Sequence, residues 1–313
     1  MNLMIVNDEN SITAQVAMTL AAIAYADHKG IPTLLANQQL ATQGRWQLQW
    51  LGSDDANQVY IAQDQQTGQF AVNIRGSVTD PLSEAFWLDW FKQDLEVLDM
   101  AHWPHGGAPT GAKIAQGTLA GLHSLVSLKN HSGQTLVDFL RANLEPGVSP
   151  LTGVIGHSLG GALASVLAPY LHQQFSPGQQ VLDFWPVTFA GPSAGNAVFA
   201  NWLTQQFAAS QGRYFNTFDV VPHAWQELAW IEQSFPNGGP GLPFVMKELM
   251  KGIADLLKLI KDSYLQPGTG MPLPGALQSG DDWGMEAGQQ HASATYLTLV
   301  GAPPVPVSYT SSG

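Results

Sequence analysis

Residues 151–168 read Leu-Thr-Gly-Val-Ile-Gly-His-Ser-Leu-Gly-Gly-Ala-Leu-Ala-Ser-Val-Leu-Ala. A short apolar strand runs into a serine framed by Gly156 and Gly160, and a helix start made of small residues comes next. This spacing restricts the fold tightly, because it puts Ser158 on a sharp strand-to-helix turn that lifts its hydroxyl clear of the backbone. Side chains two positions to either side would collide in such a turn, which explains the two glycines. Gly160, Gly161, Ala162 and Ala164 then let the helix lie close against its sheet. A serine held this way is a candidate nucleophile, and the chain is a candidate serine hydrolase.

The same spacing occurs a second time, at Gly191-Pro192-Ser193-Ala194-Gly195, again after a strand-like run from Val187 to Ala190. The residues downstream separate the two. Beyond Ser193 come Asn196, Val198, Phe199 and Trp202, too bulky for a helix that must pack directly under a nucleophile. Ser158 is the better candidate.

A serine hydroxyl is a weak nucleophile that needs a base, and the base needs an acid to orient it. In a strand-turn-helix architecture the partners come in the order serine, acid, histidine. Only His172, His223 and His291 come after Ser158. Asp219 directly succeeds a strand-like segment in Arg213-Tyr214-Phe215-Asn216-Thr217-Phe218-Asp219-Val220-Val221-Pro222, where catalytic side chains collect in open α/β sheets. Asp183 is its rival, but it precedes a strand and so belongs to the opposite edge. His223 lies only four residues beyond Asp219, behind a Val-Val-Pro segment that hinders its return to Ser158, so His291 is preferred as base. Acyl transfer also needs two N–H donors for the oxyanion. The amide of Leu159 is one, and the loop Arg75-Gly76-Ser77 after an early strand can supply the other through Ser77.

The remaining chain supports one α/β architecture. Trp46–Leu51, Val59–Gln63 and Phe70–Arg75 read as successive strands, and later apolar runs at 154–155, 187–190 and 214–217 alternate with helical stretches at 136–144 and 196–207. Strands alternating with helices predict a mostly parallel sheet flanked by helices. A helix over 16–25 has Ser11 or Asn10 as its cap and Asp27-His28-Lys29-Gly30 as its end. With no repeat and no evident linker, residues 1–313 read as a single domain with insertions. The charged share is only 12% and the net charge is −12, which argues against nucleic acid as a partner. There is no cysteine, hence no disulfide and no thiolate metal site. No metal or cofactor is expected.

Four segments together resemble one family: Gly156 to Ala164, Val187-Thr188-Phe189-Ala190-Gly191-Pro192 with Gly195-Asn196, the Asn216-to-Pro222 acid segment, and Asn73-Ile74-Arg75-Gly76-Ser77. They look like the class 3 lipases, the α/β-hydrolases typified by filamentous-fungal triacylglycerol lipases. Ala24-Tyr25-Ala26 and the run from Asp89-Trp90 to Asp94-Leu95 are also similar. The resemblance implies Ser158, Asp219 and His291 as a triad and Ser77 with Leu159 as the oxyanion hole. One departure stands out. The family's Val-His-x-Gly-Phe is Ile114-Ala115-Gln116-Gly117-Thr118 here, which puts the neighbouring acyl-pocket details in question.

Two apolar stretches bear on substrate access. Over residues 78–99, Asp80 and Pro81 open a helix whose Phe86, Trp87, Trp90, Phe91, Leu95 and Leu98 share a face. Such a stripe is ordinarily a core face, yet it sits where the resembling family keeps its lid. The second, Pro243 to Leu265 within an insertion over about 232–285, sets Phe244, Met246, Leu249, Met250, Ile253, Leu256, Leu257 and Ile260 against Lys247, Lys251, Lys258 and Lys261. It reads either as a helix that docks to a lipid interface or as a surface helix with one buried side. The expected function is hydrolysis of lipid acyl esters, foremost glycerides. A phospholipase or galactolipase exported as an effector is the alternative, and an inactive lipid-binding relative a weaker one. Nothing in the sequence spans a membrane, and the first ten residues lack the pattern of a cleavable signal, so the expected location is cytoplasmic or reached by another export route.

Overall fold

The apolar run before Ser158 becomes the strand β6 (Thr152–His157), every residue of which is buried. It pairs in parallel with β3 (Phe70–Ile74) on one side and β7 (Phe184–Phe189) on the other, aligning Ile155 with Asn73 and with Val187. These three strands are buried along their whole length. Because successive side chains alternate between faces, that requires cover on both sides of the sheet. The computed structural model describes residues 12–77, 87, 98–145, 151–175, 184–207, 212–235, 239–259, 262–278 and 281–307.

The main sheet has seven strands in the order β1-β2-β3-β6-β7-β9-β11, with β1 (Trp46–Ser53), β2 (Gln58–Asp64), β9 (Gly212–Asn216) and β11 (Met271–Leu273) completing it. Its first three strands are antiparallel and the rest run parallel, so this is the mostly parallel, helix-flanked sheet of the α/β-hydrolase type. A smaller antiparallel sheet joins β4 (Met100–His102), β5 (Lys113–Ala115), β8 (Gly195–Asn196) and β10 (Tyr264–Leu265).

The helices described are α1 (Ala14–Ile23), α2 (Gly30–Leu35), α3 (Gln116–Ser127), α4 (Leu136–Asn143), α5 (Leu159–Phe175), α6 (Ala197–Gln206), α7 (Leu228–Ile231), α8 (Phe244–Leu259), α9 (Trp283–His291) and α10 (Ser293–Leu299). Helix α5 packs along β6 and β7, while α1 packs on β6 and against α10. A second core cluster gathers Trp87, Val220, Val221, Trp225, Ile231, Met246, Met250 and Trp283 beneath α8.

Three local expectations are corrected. Helix α1 is capped by Thr13, whose hydroxyl accepts the Val16 N–H at 3.3 Å; the predicted caps Ser11 and Asn10 lie outside the described residues. The stretch Asp27–Gly30 opens α2 instead of closing α1, because the Asp27 carboxylate accepts the Gly30 N–H at 2.6 Å. The lysine-bearing helix α8 ends at Leu259, and Tyr264–Leu265 turns back as β10 to pair with β8. A polar clasp accounts for that return: Asp262 takes the Lys113 ammonium at 2.6 Å and the Asn196 amide at 3.1 Å.

The apolar face of α8 is also split. Met246, Met250 and Ile253, at i, i+4 and i+7, are buried in the second core. Phe244 and Leu259 point outward, 75% and 78% exposed, with Val245 and Leu256 beside them. Its lysines meet acids, Lys247 with Glu232, Lys251 with Glu248 and Lys258 with Asp255; Ile260 and Lys261 lie outside the described residues. The 232–285 stretch therefore contributes to the scaffold, since its β11 is the edge strand of the main sheet. Among the described residues no helix is long and apolar enough to cross a membrane.

Candidate active site

Ser158 sits between β6 and α5 with φ at +60°, in the left-handed region that non-glycine residues rarely occupy. The surroundings enforce it. The Ser158 N–H donates to the Phe189 carbonyl of β7 at 2.9 Å, and its own carbonyl accepts the Gly161 N–H at 2.8 Å, opening α5. A Cβ on Gly156 would overlap the Gly160 carbonyl, and one on Gly160 would overlap the Ile74 carbonyl of β3. Glycine at both positions lets strand, turn and helix close on each other.

Asp219 lies just beyond β9 and is fully buried; His291 is the last residue of α9 and nearly so. His291 Nδ1 lies 2.9 Å from Asp219 Oδ2, and His291 Nε2 lies 2.8 Å from Ser158 Oγ. A carboxylate can only accept, so Nδ1 carries the proton and Nε2 is free to accept from the serine. Asp219 takes two more donors: the Tyr296 hydroxyl at 2.7 Å on Oδ2 and the Val221 N–H at 3.0 Å on Oδ1. Burial, with the Asp219 charge second, holds the Tyr296 phenol well above its ordinary pKa, which keeps it a donor.

Asn216 bridges the acid loop and the base helix. Its side-chain amide donates to the Gln290 carbonyl at 2.9 Å and to the Gln290 side-chain oxygen at 2.6 Å, and its own carbonyl accepts the Asp219 N–H at 3.0 Å.

The sequence-predicted oxyanion donors flank the serine. Leu159 is the first residue of α5, with its side chain 41% exposed. Ser77 comes directly after Gly76, where a Cβ would lie 3.2 Å from Ser158 Cβ and 2.7 Å from the His157 carbonyl. Trp87 is buried: its indole N–H donates to the Gly284 carbonyl at 3.0 Å, and its ring stands edge-on to Trp283 and, at 6.2 Å, to His291. Phe86, Trp90 and Phe91 lie outside the described residues, as does Asp183.

The rivals are occupied elsewhere. His223 Nδ1 lies 2.7 Å from Glu227, and its ring stacks on Trp230 at 3.7 Å. Ser193 is buried, and its hydroxyl donates to the Ala224 carbonyl at 3.1 Å. Among the described residues no three His, Asp or Glu side chains gather as a metal site would need. Asn216, Tyr296 and His157 carry no role in the sequence reading. Their buried polar contacts join segments far apart in the chain, and no local pattern signals that.

Residues 71–228, half of the chain, match the family described as Lipase (class 3). The chain belongs to the class 3 lipase family. It is 29% identical over 186 residues to a secreted mono- and diacylglycerol lipase 1 of Fusarium solani, a match covering 58% of this chain and 48% of that protein. The chain thus spans about half the length of the curated relative it matches. Among solved structures, the M37 lipase is 25% identical with a TM-score of 0.78, covering 92% of this chain and 91% of that one. The Lip2 lipase of Yarrowia lipolytica shares the fold, at 19% identity and a TM-score of 0.51 over 66% and 71% of the two chains.

Proposed function

We propose that this class 3 lipase hydrolyses acyl esters of lipids, glycerides first, through Ser158, His291 and Asp219. The observation that carries the reading is the unbroken hydrogen-bonded run from the Ser158 hydroxyl through both nitrogens of His291 to a buried carboxylate. His291 Nε2 takes the serine proton as Oγ attacks the ester carbonyl, forming the C–O bond of a tetrahedral intermediate. The N–H groups of Leu159 and Ser77 receive its oxyanion. The same imidazole hands the proton to the departing alcohol, leaving an acyl-serine, and a water activated by His291 releases the acid. Asp219 holds the Nδ1–H tautomer and stabilises the imidazolium, remaining ionised itself. Glycerides are favoured over phospholipids by the mono- and diacylglycerol activity in the name of the Fusarium relative.

Access is proposed to involve a cover and a docking face. Trp87, packed beside His291, belongs to the cover read from residues 78–99 and helps close the site in water. The outward Phe244, Val245, Leu256 and Leu259 of α8 meet the lipid surface. The test is hydrolysis of p-nitrophenyl esters of graded chain length beside emulsified glyceride and phospholipid vesicles. Glyceride turnover that climbs once droplets form supports the reading. Preference for vesicles moves it to a phospholipase, and no turnover with no organophosphonate labelling of Ser158 refutes it.

A further inference from the structure

His157, next to the nucleophile, is wholly buried and makes two side-chain hydrogen bonds to distant segments. Nε2 lies 2.9 Å from the backbone carbonyl of His291, and Nδ1 lies 2.9 Å from the hydroxyl of Tyr25, just past the end of α1. Chemistry fixes the proton positions. A carbonyl can only accept, so Nε2 carries the hydrogen. Neutral imidazole then presents a lone pair at Nδ1, and the Tyr25 O–H must donate to it.

The hydroxyl of Tyr25 is itself confined, because a Cβ on Gly76 would overlap it. One chain of contacts therefore runs from the loop carrying Ser77, through Tyr25 and His157, to the backbone of the base. The rings of His157 and His291 are 5.0 Å apart and tilted by 32°, and Tyr296 stands edge-on to His157 at 5.4 Å.

We infer that His157 is a positioning residue: as a neutral imidazole with its proton on Nε2 it fixes the end of α9, so that His291 meets Ser158 and Asp219 at once. The inference rests on the hydrolase reading proposed above. Neutrality is part of the role, because His291 becomes an imidazolium during acyl transfer and a second positive ring beside it would oppose that charge. The groups facing His157 are Tyr25, His291 and Tyr296, and among the described residues no carboxylate is hydrogen-bonded to it. Burial, with the charge of His291 next, pushes the His157 pKa well below the ordinary histidine value.

The experiment compares His157→Met, His157→Gln and Tyr25→Phe with the unaltered chain. It reads kcat and KM separately on a soluble ester, the rate of organophosphonate labelling, and the downfield proton resonance of the His291–Asp219 hydrogen bond. Methionine fills the space without donating. We expect kcat to fall about 10²-fold, as a misplaced catalytic group does, with KM nearly unchanged, the resonance lost and a cooperative melt retained. Glutamine can still donate to the His291 carbonyl and should restore most of kcat and the resonance. Tyr25→Phe keeps the ring and loses the donor; a fall of about tenfold in kcat is expected, the worth of one buried hydrogen bond. It decides the matter if the methionine variant fails to fold. A methionine variant with unaltered kcat and resonance overturns the inference, as does a glutamine variant impaired as badly as methionine, or Tyr25→Phe indistinguishable from the parent. Loss of the resonance in His157→Met, in a chain that neither hydrolyses esters nor takes the label, upholds the positioning and refutes the hydrolase reading instead.

Discussion

Two segments of this chain share the spacing Gly-x-Ser-x-Gly, and their glycines answer to different neighbours. At 156–160 the glycines let strand, turn and helix fold onto one another around a serine at φ +60°. At 191–195 they serve packing: a Cβ on Gly191 would press 3.1 Å from the Gly161 carbonyl carbon, and one on Gly195 would overlap the Lys113 carbonyl of β5. Ser193 itself is tied to the Ala224 carbonyl. The second motif is thus the seat on which the first rests, with Gly191 against the opening of α5. A pattern of small residues marks close backbone approach; what the serine does depends on which backbone is approached.

The comparison breaks most sharply at the hydroxyls. Ser158→Ala should lower ester turnover on the order of a million-fold and abolish phosphonate labelling, while Ser193→Ala keeps most activity. Labelling that survives in the Ser158 variant would reverse the two roles. Asp219→Asn should cost about 10⁴-fold in kcat, because the imidazole would present the wrong tautomer. His291→Ala should be equally damaging and His223→Ala mild; a crippled His223 variant beside an active His291 variant would displace the base assignment.

Smaller effects sharpen the contrast between chemistry and packing. Gly195→Ala should destabilise the fold by about 1–3 kcal/mol through overpacking and leave kcat of the folded fraction unchanged, as chemical denaturation and active-site titration can check.

The elbow, unlike the second motif, also carries a titratable neighbour in His157, whose native pKa is depressed by burial. The unfolded state then binds more protons below its histidine pKa of about 6.5. Stability should be complete above that value and decline as pH falls toward the native pKa. His157→Gln should flatten the decline and Ser193→Ala should not; an unchanged slope in the glutamine variant would assign the acid sensitivity elsewhere. The smallest effect concerns neither motif. Phe244→Ser with Leu259→Ser on the outer face of α8 should weaken turnover at droplets roughly fivefold, from about 1 kcal/mol of apolar contact per side chain. Equal loss on a dissolved short ester would mean the face does not act at an interface.

What was legible in the sequence was whatever depends on neighbours in the chain. The β6 strand, the elbow and α5 are contiguous, and their steric demands are written in Gly156, Gly160 and Ala162. The order serine, acid, histidine nominated three residues that the fold brings within hydrogen-bond distance. The short strands of the second sheet were not legible, because two or three residues have no periodicity to read and pair only when distant segments meet. Nor was the end of α8 at Leu259, which reflects a clasp from Asp262 to Lys113 and Asn196 rather than a helix-breaking residue. The burial of Trp87 likewise depends on Gly284 and Trp283, nearly two hundred residues away. Asn216, Tyr296 and His157 escaped for the same reason, since each acts across the fold.

The hydrogen bonds of His157 reach 132 residues back to Tyr25 and 134 residues forward to His291, and Ser158 waits 133 residues for its base. During synthesis at roughly 5–20 residues per second, the serine emerges on the order of ten seconds before the histidine that would accept its proton. The turn at φ +60° has little to hold it until β7 offers the Phe189 carbonyl. Contacts so distant in sequence form late in folding. The growing chain therefore carries a hydroxyl with no acceptor beside it, and it becomes reactive only once its final helices have docked.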